Sequence, residues 1–298
     1  MFRQIRTILE MIRFSHTLFA LPFALLAGGM ATRLEIGEGR EWRPLDWIGI
    51  VLCMVLARSA AMSFNRLADW KLDAANPRTS SRHIPSGLLS GTAVGIFTAA
   101  CAALFIASTS IFLFSSGNRL PLALSLPVLA FISVYSFTKR FTALAHFWLG
   151  ASLMLAPLST WIAIRGRVEW PPVVLGLSVL FWVAGFDIIY ACQDMKFDRT
   201  AGLRSVPAKL GLKGALGVAM VCHAVMIIML AALPLVFQLG WIYWCGVAAL
   251  ALLLIYEHSL VRPDDLTRVN LAFFNVNTVI SVGLLAVTVL DMVLLQSG

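Results

Sequence analysis

Long apolar stretches recur along the chain from residue 14 to the end, each closed by a short polar or basic segment. They lie near residues 14–34, 46–69, 92–115, 120–138, 142–164, 172–194, 214–236, 239–257 and 271–295. About 20 residues of α-helix cross the hydrocarbon core of a bilayer, and each stretch is of that order. The pattern predicts an all-α, polytopic membrane protein with about nine transmembrane helices in one bundle. Residues 1–13, with the run FRQIRTILEMIR, read differently: basic and apolar positions alternate as on an amphipathic helix lying at the membrane interface.

Composition agrees with this reading. The 298 residues are 59% hydrophobic and only 13% charged, and the mean hydropathy is +0.86, far too apolar for a soluble domain. No Ser/Gly/Pro-rich linker and no low-complexity tract divides the chain, so residues 1–298 are expected to form a single domain. Basic residues precede the first apolar stretch as in a signal peptide, but no small-residue cleavage site follows, and the first span is read as retained.

The net charge of +8 raises the question of nucleic acid, and the placement of the charges answers it. With the N-terminus on the cytoplasmic side, 15 of the 23 Lys and Arg residues fall on that side. Six lie opposite (Arg33, Arg40, Arg43, Arg119, Arg165 and Arg167), and Arg58 and Arg66 lie within the second span. This is the positive-inside bias, so the basicity reflects topology and implies no nucleic-acid partner. The chain suggests no obligate protein partner. The five cysteines show no paired spacing and read as buried small residues.

Polar groups inside apolar helices need a reason, and two clusters supply the candidate chemistry. The second span ends in Asn65-Arg66-Leu67-Ala68-Asp69-Trp70-Lys71-Leu72-Asp73; the sixth ends in Asp187-Ile188-Ile189-Tyr190-Ala191-Cys192-Gln193-Asp194-Met195-Lys196-Phe197-Asp198. On a helix, positions i and i+4 share a face, which aligns Asn65, Asp69 and Asp73 in one stripe and Asp194 and Asp198 in another. Asp187, two turns earlier, joins the second stripe, with Tyr190 nearby. The two spans run in the same direction, which puts both stripes on one membrane side. Carboxylates with an amide oxygen suit a hard divalent cation, and Mg²⁺ prefers one or two carboxylates plus substrate phosphates. The implied partners are thus Mg²⁺ and a diphosphate. A single DxxxD at a span end is more simply a solvated helix terminus; two of them, each with a basic loop behind, favour the metal reading.

Arg78 and Arg82 follow the first stripe, Lys139 and Arg140 end the fourth span, and Arg204 and Lys209 follow the second stripe. Cations there can hold diphosphate oxygens and stabilise a leaving group, although topology alone explains most of them. Arg58 is not explained by topology. It lies on the face of Asn65, two turns deeper, and either pairs with Asp187 or receives the carboxylate of an acidic aromatic substrate.

The run NRLADWKLDAANPRTSSRHIPSG resembles the first Asp-rich motif and basic loop of the UbiA superfamily of intramembrane prenyltransferases, and YACQDMKFD with GLRSVPAKLG resembles the second. YSFTKRFT (135–142), HTLFALPFALLAG (16–28) and RVNLAFFNVN (268–277) match the family in position and character; the last adds Asn270, Asn275 and Asn277 as weaker candidates. His83 departs from the proline of many relatives. The resemblance implies nine helices around a central cavity open sideways to lipid, and metal-diphosphate binding by Asn65, Asp69, Asp73, Asp194 and Asp198. It also implies transfer of a polyprenyl chain to an aromatic acid, with 4-hydroxybenzoate and ubiquinone-type quinone biosynthesis as first choice. Asp187 or Tyr190 would orient the ring or assist proton loss. Trp148, Trp161, Phe181 and Trp182 would shield a cation, or else anchor and pack the bundle. A bacterial inner membrane, with cytoplasmic N-terminus and active-site loops, is the expected location. A naphthoate acceptor on a menaquinone route is the alternative within the enzyme class. A cation- or proton-coupled transporter is the alternative outside it, and it would place its acids near mid-membrane rather than at one side.

Overall fold

A bilayer offers no water to a peptide group, so each apolar segment must bond its own backbone, and it does so as helix. The computed structural model describes residues 7–8, 10–12 and 19–296. The helices are α1 (Leu21–Gly37), α2 (Pro44–Ala68), α3 (Trp70–Ala75), α4 (Gly91–Ser116), α5 (Leu120–Thr138), α6 (Ala145–Arg165), α7 (Trp170–Ala191), α8 (Met195–Thr200), α9 (Val206–Ala232), α10 (Trp241–Leu260) and α11 (Asn277–Gln296). A 3₁₀ turn, Cys192–Asp194, joins α7 to α8, and a π-helical turn, Leu271–Val276, leads into α11. No strand occurs among the described residues, only an isolated bridge between Arg262 and Asp265.

Among the described residues, eight helical stretches are long and apolar enough to cross a membrane. The remaining expected span, 14–34, begins outside the described residues, and its described part is the 17-residue α1. Most of the expected interfacial helix, 1–13, also lies outside the described residues. The expected start of the seventh span at 214 is corrected to Val206. Hydropathy registers only the apolar part of a helix, and the first two turns of α9 carry Lys209 and Lys213. A backbone break at Gly211 (φ +71°) falls between these two lysines and separates residues 206–210 from the rest, a conformation that glycine reaches without Cβ strain.

The chain forms two compact units. The first holds residues 43–137 and the described residues before 13. In it α2 packs on α4, where Gly49 lies so close to the Phe112 ring that an added Cβ would come within 2.9 Å of it. Thr98 Oγ1 on α4 donates to Ser63 Oγ on α2 at 2.8 Å, an interhelical bond of the kind that joins helices where lipid supplies no hydrophobic drive. Met11 and Ile12 are buried with Leu89 and Val94 beneath the loop that follows α3.

The second unit holds residues 19–42 and 138–296 and is built around α7. Gly150 on α6 brings that helix against the Leu180 carbonyl of α7, and Gly185 on α7 admits the His223 ring of α9. At one end of these helices Arg165 bonds Glu35 at 2.8 Å, Glu38 at 2.7 Å and Glu169 at 3.1 Å. At mid-depth Trp182 Nε1 donates to Asn277 Oδ1 at 2.6 Å, and Asn277 Nδ2 donates to Glu257 Oε1 at 2.9 Å. The same amide group reaches the Ala272 and Phe273 carbonyls, supporting the backbone where π winding loosens the usual ladder. The opposite end of α7 carries the second Asp motif.

Candidate active site

The two Asp motifs have the same local construction. Each is a long helix interrupted at an Asp and continued by a six-residue helix that carries the second Asp. Asp69 ends α2 with φ −104° and ψ 6° and starts α3, on which Asp73 is buried. Asp194 ends the 3₁₀ turn with φ −95° and ψ 0° and starts α8, on which Asp198 is buried. A six-residue helix is too short to persist alone, so packing must hold it. Arg199 Nε contributes by donating to the Ala208 carbonyl at 2.8 Å.

In the first motif the Asp69 amide donates to the Asn65 carbonyl at 3.0 Å and the Asp73 amide to the Asp69 carbonyl at 2.8 Å. The α ladder therefore runs through the interruption, and Asn65, Asp69 and Asp73 do stack on one face. Asn65 Nδ2 donates to Asp69 Oδ2 at 2.9 Å and to Ser136 Oγ at 3.4 Å. That fixes the amide orientation and leaves Asn65 Oδ1 as the oxygen available to a cation. Asp73 Oδ1 accepts from Arg82 Nη1 at 2.6 Å, while its Oδ2 is buried with no hydrogen-bond donor. Arg78 is exposed, and its backbone N–H donates to Asn76 Oδ1. Arg58, in the interior of α2, has its Nε buried with no hydrogen-bond partner.

In the second motif Asp198 Oδ2 is likewise buried without a donor, with Lys139 Nζ 3.6 Å away. The last three residues of the expected two-turn alignment of Asp187 with Asp194 wind as a 3₁₀ turn. Such a turn advances about 120° per residue where an α-helix advances about 100°. Arg204 is held at the motif by both backbone and side chain: its N–H donates to the Lys139 carbonyl at 2.7 Å and its Nη1 to the Phe141 carbonyl at 2.8 Å.

Asp187 Oδ2 is bonded to His146 Nδ1 at 2.6 Å. The sequence gives this histidine no prominence, since it stands alone in the apolar run LAHFWLG. Tyr190 stacks on Phe273 with ring centroids 4.3 Å apart, the last member of a cluster that includes Phe19, Trp182 and Phe186. Asn275 is exposed on the π turn, Asn270 is exposed just before it, and Asn277 is buried in the Trp182–Glu257 network. Trp161 lies at the other end of the unit, where Nε1 donates to Glu169. That fixes its indole in the ion-pair cluster and removes it from any cation-shielding role beside the Asp motif.

A buried carboxylate oxygen without a donor is costly unless something else satisfies it. One such oxygen occurs in each motif, each on a carboxylate with a basic side chain beside it. Among the described residues, no three His, Cys, Asp or Glu side chains form a protein-only metal cage. A donor set of this kind suits an ion that takes one or two carboxylates and completes its shell with phosphate oxygens and water, as Mg²⁺ does.

The sequence model of the UbiA prenyltransferase family matches residues 17–279. The chain belongs to the UbiA prenyltransferase family. It is 31% identical over 235 residues to the 4-hydroxybenzoate octaprenyltransferase of Methylobacillus flagellatus, covering 78% of this chain and 77% of that one. The structure matches an apo UbiA homologue from Aeropyrum pernix K1 with a TM-score of 0.81 and 31% identity, over 93% of this chain and 98% of the other. A UbiA homologue from Archaeoglobus fulgidus bound to GPP and Mg²⁺ shares the fold at a TM-score of 0.71 and 19% identity, over 95% and 99% of the two chains. The protein is thus a helical integral membrane protein of the UbiA family, and its two interrupted helix ends are the natural place to seek the family's chemistry.

Proposed function

We propose that this UbiA-family protein transfers a polyprenyl group from an allylic polyprenyl diphosphate to 4-hydroxybenzoate in ubiquinone-type quinone biosynthesis. The reading is carried by the paired motifs, each with a buried, donor-less carboxylate oxygen beside a cation. The Methylobacillus relative supports the acceptor by its name. The Archaeoglobus homologue, bound to GPP and Mg²⁺, is an instance of this ligand pair on this fold.

Asn65, Asp69 and Asp73, and Asp194 and Asp198, contribute the ligands for Mg²⁺, which when bound would neutralise charge developing on the diphosphate. Arg82, Lys139, Arg78 and Arg204 hold diphosphate oxygens and favour departure of the leaving group. As the allylic C–O bond breaks, diphosphate leaves with the electron pair. A C–C bond forms at the ring carbon ortho to the hydroxyl, and the ring proton leaves to restore aromaticity. Asp187 takes that proton, Tyr190 orients the ring, and Arg58 receives the acceptor's carboxylate; Asn275 adds a polar contact to substrate. Apolar helices exclude the water that would quench a cationic prenyl group. The whole chain serves as one catalytic domain in a bacterial plasma membrane, with the N-terminus and the Asp motifs on the cytoplasmic side.

The test supplies purified protein with a labelled polyprenyl diphosphate, Mg²⁺ and either 4-hydroxybenzoate or a dihydroxynaphthoate. Prenylated 4-hydroxybenzoate is the expected product. Product from the naphthoate alone would move the protein to a menaquinone route. No product from either, with metal-independent ion flux in vesicles, would end the enzyme reading.

A further inference from the structure

His146 is the second residue of α6, and its side chain has no solvent exposure. Its two ring nitrogens face different groups. Nε2 lies 3.4 Å from the backbone nitrogen of Val206, and Nδ1 lies 2.6 Å from Asp187 Oδ2. A backbone N–H can only donate, so Nε2 presents its lone pair and the ring proton sits on Nδ1, donating to Asp187. One oxygen of Asp187 is thereby committed to His146, and Oδ1 is left for an incoming group.

The second contact extends the connection. Val206 opens α9, directly after Ser205, whose Oγ caps that helix by accepting from the Ala208 N–H. One residue earlier, Arg204 is bonded to the Lys139 and Phe141 carbonyls, and Lys139 stands beside Asp198. A single buried imidazole therefore joins the carboxylate at the acceptor end of α7 to the loop that carries the diphosphate-binding cations.

We propose that His146 is a positioning residue for prenyl transfer. It holds the Asp187 carboxylate in register with the Arg204 loop, so that Oδ1 meets the ring hydrogen when the prenyl carbon is in place. This rests on the assignment of Asp187 as the group that takes the ring proton. His146 donates to the carboxylate throughout, so the transferred proton resides on Asp187 and the imidazole undergoes no net change. A misplacement of about 1 Å at such a group is enough to lower turnover about 100-fold.

The test combines kinetics with a measurement that does not depend on turnover. His146→Phe keeps the buried ring and loses the donor, whereas His146→Asn places an amide N–H where Nδ1–H stood. For His146→Phe, kcat should fall about 10- to 100-fold while KM for the polyprenyl diphosphate changes less than about 2-fold. His146→Asn should recover most of the loss. Asp187→Asn should fall at least about 100-fold, and His146→Phe/Asp187→Asn should be no slower than Asp187→Asn alone. Additive losses, or a loss in His146→Phe that only tracks a lower melting temperature, would reduce His146 to a structural bridge. Full activity in Asp187→Asn would remove the role that His146 is said to support. In the wild type, ¹⁵N spectra of labelled histidine should show His146 as the Nδ1–H tautomer, with its signal moved in Asp187→Asn. The opposite tautomer would overturn the proposal whatever the activity, so a protein inactive toward every acceptor would still decide this point separately.

Discussion

Arg82 Nη1 lies 2.6 Å from Asp73 Oδ1, so the second arginine of the loop is also the partner of the last carboxylate of the motif. The pair joins residues nine apart. It spans the turns after α3, where Thr79 Oγ1 also donates to the Asp73 carbonyl. The contact fixes where the carboxylate points and leaves its other oxygen without a donor. Arg82→Ala strands a buried carboxylate, and the loss is expected to be about 2 kcal/mol of stability. KM for the polyprenyl diphosphate should rise as well. Thermal unfolding in detergent and steady-state kinetics would check both, and a normal KM would remove Arg82 from diphosphate binding.

Each interrupted helix should be needed for turnover by itself. Asp69→Asn and Asp194→Asn are expected to lower kcat at least about 100-fold, while helix content and detergent-solubilised yield stay as in the wild type. Chelation of divalent metal should stop the native enzyme, and Mg²⁺ should restore it. Full activity in both variants would refute the assignment of these carboxylates to the metal.

Close helix approach makes a prediction that has nothing to do with chemistry. A Cβ on Gly150 would collide with the Leu180 carbonyl, which as backbone of a buried helix has little room to move. Gly150→Ala should therefore lose about 1–3 kcal/mol. Gly217, where an added Cβ meets nothing within 4 Å, is the control. Gly217→Ala should be neutral or slightly stabilising, since it also improves helix propensity. Equal melting temperatures for the two variants would contradict the packing described for α6 and α7.

The ion-pair cluster at the other end of the second unit predicts an acid-sensitive stability. The Arg165 hydrogen bond, more than any other contact, holds the Glu38 carboxyl below its usual value of 4.5. Burial pushes Glu169 upward, but hydrogen bonds from Arg165, Trp161 and Arg167 outweigh it and hold its carboxyl below 4.5 too. Groups lowered by folding contribute stability above their unfolded pKa and lose it as the pH falls through the folded one. The melting temperature should be level from neutral pH to about 5 and decline below about 4.5. In Glu169→Gln the neutral-pH value should be lower and the acid decline shallower. An unchanged profile would show that the cluster contributes nothing to folding.

The mid-depth network gives a final prediction. Asn277→Leu removes the acceptor of Trp182 Nε1 and the donor to Glu257 Oε1 together. Two polar groups with no exposure would be left without these partners, and the expected loss is about 3 kcal/mol. The π turn, which also leans on the Asn277 amide, should show faster hydrogen exchange at Ala272 and Phe273. Protection equal to the wild type would remove Asn277 as its support.

The sequence by itself determined the helical, membrane-spanning class, because a run of apolar residues about 20 long has one stable form in lipid. It also marked Asn65, Asp69 and Asp73, since a DxxxD spacing on a helix is a statement about one face and needs no distant contact to be legible. Resemblance supplied what spacing could not, namely the prenyl and aromatic substrates. Only the tertiary structure decided which atoms are engaged. It showed Asp73 shared between Arg82 and an unsatisfied oxygen, and Asn65 oriented by Ser136, 71 residues away. It reassigned Trp161 to an ion-pair cluster and ended the α-helix that carries Asp187 at Ala191, with a tighter 3₁₀ turn from Cys192 to Asp194. His146 is the clearest case. In the chain it is a lone histidine among apolar neighbours, and its meaning comes from Asp187 and Val206, 41 and 60 residues distant. Local spacing records which residues share a helix face, whereas hydrogen-bond partners across helices depend on packing that local pattern does not encode.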